Sequence, residues 1–193
     1  MRAVLATGGA TATSPVAGSD RDDLPLFLFG TLRHPALFEV VFGRPQHALA
    51  CRTALLHGHA ARRVDGADFP VLVAAAACRQ PGLLVEGLAP EEVARAVFYE
   101  STGYRLEPVR LGAAGGTLAR AFLPTGRLPV SGERWRLAAW CRRHGARVVI
   151  AAALAFEHYG RIDAAGFEAL WPQIERETAA RLAGTRLAAA GVR

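Results

Sequence analysis

The spacing of apolar positions changes rhythm along the chain, and the changes divide it. Residues 1–23 are small and polar with no period, ending in Gly18-Ser19-Asp20-Arg21-Asp22-Asp23. Their apolar stretch Ala3 to Ala6 is too short for a secretory signal, so a disordered leader or a misplaced start is expected. Order begins at Leu24-Pro25-Leu26-Phe27-Leu28-Phe29, an apolar run of strand length closed by Gly30, which reads as a strand buried on both faces. Pro35 suits the first turn of a helix, and Leu37, Phe38, Val41 and Phe42 recur at helical spacing until Gly43 stops it. Three strands are expected next, at Arg52 to His59, Phe69 to Ala75 and Leu83 to Leu88, separated by Gly, Asp and Pro turn signals. Pro90-Glu91-Glu92 opens a short helix, with carboxylates at the positive end of its dipole, that runs through Val93, Val97 and Phe98 to about Tyr99-Glu100. Two further strands, about Tyr104 to Leu111 and Thr117 to Leu123, surround the glycine turn Gly112 to Gly116.

Beyond Pro129 the period changes from two to 3.6. Three helices fit: Gly132 to His144, Ala146 to Tyr159 closed by Gly160, and Asp163 to Ala183 with Pro172 kinking or splitting it. The expected organisation is a leader (1–23), an α+β domain (24–128) and a helical C-terminal extension (129–193). Trp135, Trp140, Phe156, Tyr159, Phe167 and Trp171 read as the packing faces of that extension rather than as a cofactor box.

Composition narrows the classes. With 51% hydrophobic and 21% charged residues among 193, the chain is globular, and its longest apolar runs, Val71 to Cys78 and Val148 to Phe156, are far short of the roughly 20 residues that cross a bilayer. No membrane association is expected. Three cysteines, Cys51, Cys78 and Cys141, are an odd number in a chain able to bury its own core, so a reducing, cytoplasmic setting is expected and disulfides are not. The formal net charge of +6 has an unusual origin: all 23 basic residues are arginine, and the chain has neither lysine nor asparagine. That bias spreads over the whole chain and suggests a GC-rich coding sequence. Residues 1–130 hold 13 arginines against 11 acids, and residues 131–193 hold 10 against 6. Only Arg142, Arg143 and Arg147 cluster in the tail, without the continuous basic stripe and interleaved aromatics of a nucleic-acid binder, so no nucleic-acid partner is expected.

The missing lysine removes Walker phosphate-binding loops and Schiff-base chemistry. There is no paired-cysteine zinc pattern, His57 and His59 lack a nearby third ligand, and no G-x-S-x-G elbow occurs, so neither a metal nor a cofactor is expected.

Two places remain. At Phe29-Gly30-Thr31-Leu32-Arg33 a buried strand gives way to a glycine turn and a helix start, where unpaired backbone N–H groups converge into a cradle for a carboxylate or oxyanion. Taken alone, this feature fits a tight turn with no ligand better. At Phe98-Tyr99-Glu100-Ser101-Thr102-Gly103-Tyr104 a carboxylate stands at a helix end between aromatic residues. Burial there raises its pKa toward that of a useful general base, whereas a frayed end leaves it an ordinary solvated glutamate.

Together these residues resemble the gamma-glutamylcyclotransferase or AIG2-like family. The landmarks are Phe-Gly-Thr-Leu after a hydrophobic strand, Gly43-Arg44, Gly66-Ala67-Asp68-Phe69-Pro70-Val71-Leu72-Val73, Leu84-Val85-Glu86-Gly87-Leu88, and Phe98-Tyr99-Glu100 with Tyr104. The resemblance covers about residues 24–124. It implies a small mixed β-barrel flanked by helices, with Glu100 as acid/base residue and Phe29, Gly30, Thr31, Leu32, Phe69 and Tyr104 around the substrate. Active members convert a γ-glutamyl amine or peptide to 5-oxoproline and release the amine. One departure bears on substrate choice: the family's opening aromatic is commonly Tyr, and Phe29 has no hydroxyl.

The tail carries a second resemblance, through Trp135 with Trp140, Glu157-His158-Tyr159-Gly160 and Trp171-Pro172-Gln173-Ile174. It looks like the segment joining an AIG2-like domain to a Nudix hydrolase in ADP-ribose pyrophosphatase-like proteins linked to tellurite resistance. The glutamate cluster that a Nudix box needs for Mg²⁺ is absent from the tail. This implies a second reading, a catalytically silent module that docks a separate Nudix-type hydrolase through its helical tail.

Overall fold

The computed structural model describes residues 23–112 and 116–190. The leader up to residue 22 and the middle of the Gly112–Gly116 turn lie outside them. Six strands form one sheet: β1 Leu26–Leu28, β2 Ala50–Val64, β3 Pro70–Glu86, β4 Tyr104–Arg110, β5 Leu118–Pro124 and β6 Val130–Arg134, in the order β4-β5-β1-β3-β2-β6. Only the β1–β5 pairing is parallel. The central β1 is buried throughout, as its unbroken apolar run requires.

Three expectations change. The strands at Phe69 to Ala75 and Leu83 to Leu88 are the two halves of one long strand, β3. Its Arg79-Gln80-Pro81 reads as a break, yet Pro81 is tolerated because β1 pairs with β3 only at Leu83 to Val85, so on that side Pro81 faces no ladder. The missing Pro N–H costs no interstrand bond there. Second, the helix expected from Gly132 begins later. Val130–Arg134 is a strand whose Val130 and Arg134 pair with Val64 and Arg62 of β2, and Arg62 donates to the Gly132 carbonyl at 2.8 Å. Third, the sheet is not closed into a barrel. The edge strand β6 joins β2 well beyond the stretch that faces β1 across β3, and β4 pairs with β5 at the other end of the order, so no register brings the two edges together.

The helices hold the sheet's buried side. In α1 (Pro35–Phe42) the four periodic residues Leu37, Phe38, Val41 and Phe42 are all buried, His34 accepts from the Leu37 N–H at 3.3 Å as N-cap, and Gly43 closes the helix at φ 79°. In α2 (Pro90–Glu100) Glu92 accepts from the Ala89 N–H at 2.6 Å. Arg95 of α2 donates to the carbonyls of Val40 and Val41, both at 2.8 Å, so a cation sits on the negative end of α1. The same guanidinium lies 4.3 Å from the centre of the Phe156 ring and 5.3 Å from that of Tyr159.

The tail carries three α-helices, the first two joined end to end. Helix α3 (Leu137–Trp140), a π-helical turn (Cys141–Gly145) and α4 (Ala146–Phe156) run on without interruption, and α5 spans Ala164–Ala190 with Pro172 inside it. Gly145 in the π turn has no side chain where a Cβ would stand 3.2 Å from the His34 ring. Trp135 and Trp140 join the main core instead of packing within the extension, and the Trp135 indole donates to the Asp68 carbonyl at 3.2 Å. A second cluster, including Phe98, Leu154, Ala155, Phe167 and Ile174, seats α5 against α2 and α4.

Candidate active site

A cavity of about 390 Å³ opens where the end of β1, the end of α2, the start of β4 and the start of α5 converge. This lies within the usual size range of small-molecule sites. Its lining is mostly apolar, with a few polar groups at defined places.

The first of these is the turn after β1. Phe29 and Leu32 are buried, and Gly30 brings the backbone close under Pro70, where an added Cβ would meet the Pro70 ring at 3.0 Å. A single 3₁₀ turn follows at Thr31–Arg33. Its carbonyls at Gly30 and Thr31 accept from the N–H groups of Arg33 and His34, so the leading N–H groups of Thr31 and Leu32 fall outside the turn's own bonding pattern.

The second is the end of α2. Glu100 keeps some accessible surface, and that surface lines the cavity. Burial pushes its carboxyl up to about 7. Tyr99 and Tyr104 stand above the ordinary phenol range, through burial first and the Glu100 charge second. The Tyr104 hydroxyl is buried with no hydrogen-bond partner among the described residues, and its ring meets Phe69 edge-on at 6.4 Å. An unpaired buried phenol in a cavity wall is costly unless a ligand completes it.

Ser101, next after Glu100, has φ 59° and ψ −159°, a region that side chains rarely occupy. Glu168 of α5 holds this corner: one of its oxygens accepts from the Ser101 hydroxyl, the Thr102 hydroxyl and, at 3.1 Å, the Thr102 N–H. The Ser101 hydrogen bond, then those from Thr102, keep Glu168 below the usual carboxylate range.

Residues 26–141, more than half of the chain, match the sequence profile of the family described as "Gamma-glutamyl cyclotransferase, AIG2-like". The chain belongs to that family. It is similar to two Arabidopsis thaliana proteins solved in solution. One is 17% identical, covering 79% of this chain and 90% of that chain (TM-score 0.48). The other is 20% identical, covering 69% and 91% (TM-score 0.47). A solved structure titled "Gamma-glutamyl cyclotransferase" is 12% identical, covering 63% of this chain and 80% of that chain (TM-score 0.45). Among curated proteins none matches.

All seven residues singled out for this AIG2-like chain, Phe29, Gly30, Thr31, Leu32, Phe69, Glu100 and Tyr104, line the one cavity. His57 and His59 lie elsewhere, flanking Gly58 where the β2–β3 register shifts, with the His59 ring 2.9 Å from the His57 carbonyl. The three cysteines are free thiols. Sequence reasoning missed the share of α5: Phe167, Glu168 and Trp171 also line the cavity, beyond the end of the family match. Phe167 and Trp171 were legible as an i, i+4 aromatic pair, but nothing in the sequence aims that face at Glu100 rather than at another helix.

Proposed function

We propose that this protein is a cyclotransferase that converts a γ-glutamyl amine or peptide into 5-oxoproline and releases the amine, with Glu100 as general acid/base. The observation that carries the reading is that Glu100, with its carboxyl raised to about 7, shares a cavity with the Gly30 turn. The substrate's α-ammonium gives a proton to the Glu100 carboxylate, and the freed nitrogen attacks the γ-carbonyl carbon. The C–N bond to the leaving amine breaks as Glu100 returns that proton to the leaving nitrogen, and Glu100 then takes the second proton from the ring nitrogen and passes it to the released amine, which departs as an ammonium. No water is consumed and nothing is oxidised or reduced. The N–H groups of Thr31 and Leu32 receive the oxyanion or the α-carboxylate, and the Tyr104 hydroxyl gains in the substrate the partner it lacks among the described residues. An apolar wall keeps the chain curled for ring closure.

The test is mass-spectrometric detection of 5-oxoproline after incubation with γ-glutamyl amines, γ-glutamyl amino acids and glutathione. Because the working form is the carboxylate, kcat/KM is expected to rise with pH below about 7 and level off above it, with a limiting log slope of about one. A profile flat from pH 5 to 8 overturns Glu100 as the base. No product from the folded protein favours the silent-module reading, in which the tail docks a Nudix-type hydrolase.

A further inference from the structure

Helix α5 begins beyond residue 141, where the family match ends, yet it contributes Phe167, Glu168 and Trp171 to the cavity. The charge balance of that lining is one-sided. In a chain with 23 arginines, the lining includes no arginine or histidine among the described residues, but two carboxylates, Glu100 and Glu168. Arg33, next to the Gly30 turn, reaches instead to the Pro81 carbonyl at 3.4 Å. The tail's Arg147 and Arg181 are engaged with Glu175 and Glu177. Glu168 is exposed at its edge of the cavity and fixed there through one oxygen by Ser101 and Thr102. Phe167 is buried, edge-on to Phe98 at 5.1 Å and tilted against Trp171 at 5.5 Å.

A γ-glutamyl compound always brings an ammonium and an α-carboxylate at its glutamyl end, so substrates differ in the leaving amine. A leaving amine with its own carboxylate would desolvate that charge in a cavity with no cationic side chain among the described residues to meet it and the fixed negative charge of Glu168 to oppose it. A leaving amine with an apolar body meets aromatic surface.

We propose that α5 selects the leaving group: Glu168 rejects γ-glutamyl compounds whose amine carries a carboxylate, and Phe167 with Trp171 favours an amine with an apolar or aromatic body. The proposal rests on the cyclotransferase reading above.

γ-Glutamyl-phenethylamide and γ-glutamyl-phenylalanine differ by one carboxylate and give a direct comparison. Two readouts keep this inference separate from its parent: 5-oxoproline release by the native protein, and calorimetric binding to the Glu100→Gln variant. The phenethylamide is expected to be preferred about fivefold or more in both, less so at high salt. Glu168→Gln keeps an acceptor oxygen for Ser101 and Thr102 while removing the charge. It is expected to shrink the preference for the phenethylamide over γ-glutamyl-phenylalanine severalfold, read as the ratio of the two so that any common change in rate drops out. Equal use of the two compounds, or a Glu168→Gln variant that weakens both alike, overturns the selector. A binding preference without product supports the selector and overturns the cyclotransferase chemistry. Absence of both binding and product overturns both.

Discussion

Glu100→Gln is expected to lower 5-oxoproline formation by about 10²- to 10⁴-fold, the usual contribution of a positioned acid/base group. The amide keeps the shape of the side chain and its place between Tyr99 and Tyr104, so the loss is one of proton transfer. The same variant is expected to be more stable than the native protein above pH 7. A carboxyl raised from its ordinary value of 4.5 to about 7 holds its proton in the folded state after the unfolded chain has released it. Stability therefore falls as pH rises between those two values, by on the order of 1–3 kcal/mol in total, and the loss persists at higher pH. Glutamine does not titrate and escapes that loss. Urea denaturation at pH 4 and at pH 8, beside the product assay, checks both halves. A variant that retains native turnover removes Glu100 from the mechanism, and one whose stability advantage does not grow with pH shows that the group is not desolvated.

The second large effect is on the fold. Gly82 of β3 lies directly beneath the Phe27 ring, and a Cβ there would overlap two of the ring's atoms and stand 2.7 Å from the Leu28 carbonyl oxygen. The ring cannot yield easily, because Phe27 is fully buried, and the carbonyl belongs to the central strand. Gly82→Ala is expected to destabilise by about 3 kcal/mol or more, at the upper end of the cost of overpacking. Because Phe27 also lines the cavity, activity should fall in the fraction that remains folded. Gly132→Ala, with nothing within 4 Å of the added carbon, serves as control, expected to change stability by less than about 0.5 kcal/mol. Urea midpoints that coincide for the two variants count against the tight β1–β3 contact.

Elements whose stability is written locally were legible in the sequence. The four apolar residues of α1 stand at helical spacing between Pro35 and Gly43, and β1 is an unbroken apolar run, so period and punctuation agree with the structure. Long-range pairing was not legible. The run Ala74-Ala75-Ala76-Ala77 has no alternation, and what makes the two halves of β3 one strand is their pairing with β2 on either side of it, at Pro70 to Ala74 and at Arg79 to Glu86. Gly132 to Arg134 reads by period as the start of a helix, and β2 claims it for the sheet. For the site, the Gly30 turn and Glu100 each had an ordinary reading in isolation, and only the family pattern joined them. The share of α5 depends on how a helix distant in sequence docks, which no local pattern records.

The guanidinium of Arg95 ties two helices and the aromatic end of a third to one charge. If α2 lifts, the last carbonyls of α1 lose their donor and Phe156 and Tyr159 lose their cation together, so a fluctuation that frees one helix must loosen the others. The wall that carries Glu100 thus opens as a cooperative unit with its neighbours. Residues 75–78 of β3, which pair with nothing in β2 and are half-buried or exposed, are left to exchange their amide hydrogens on a faster clock.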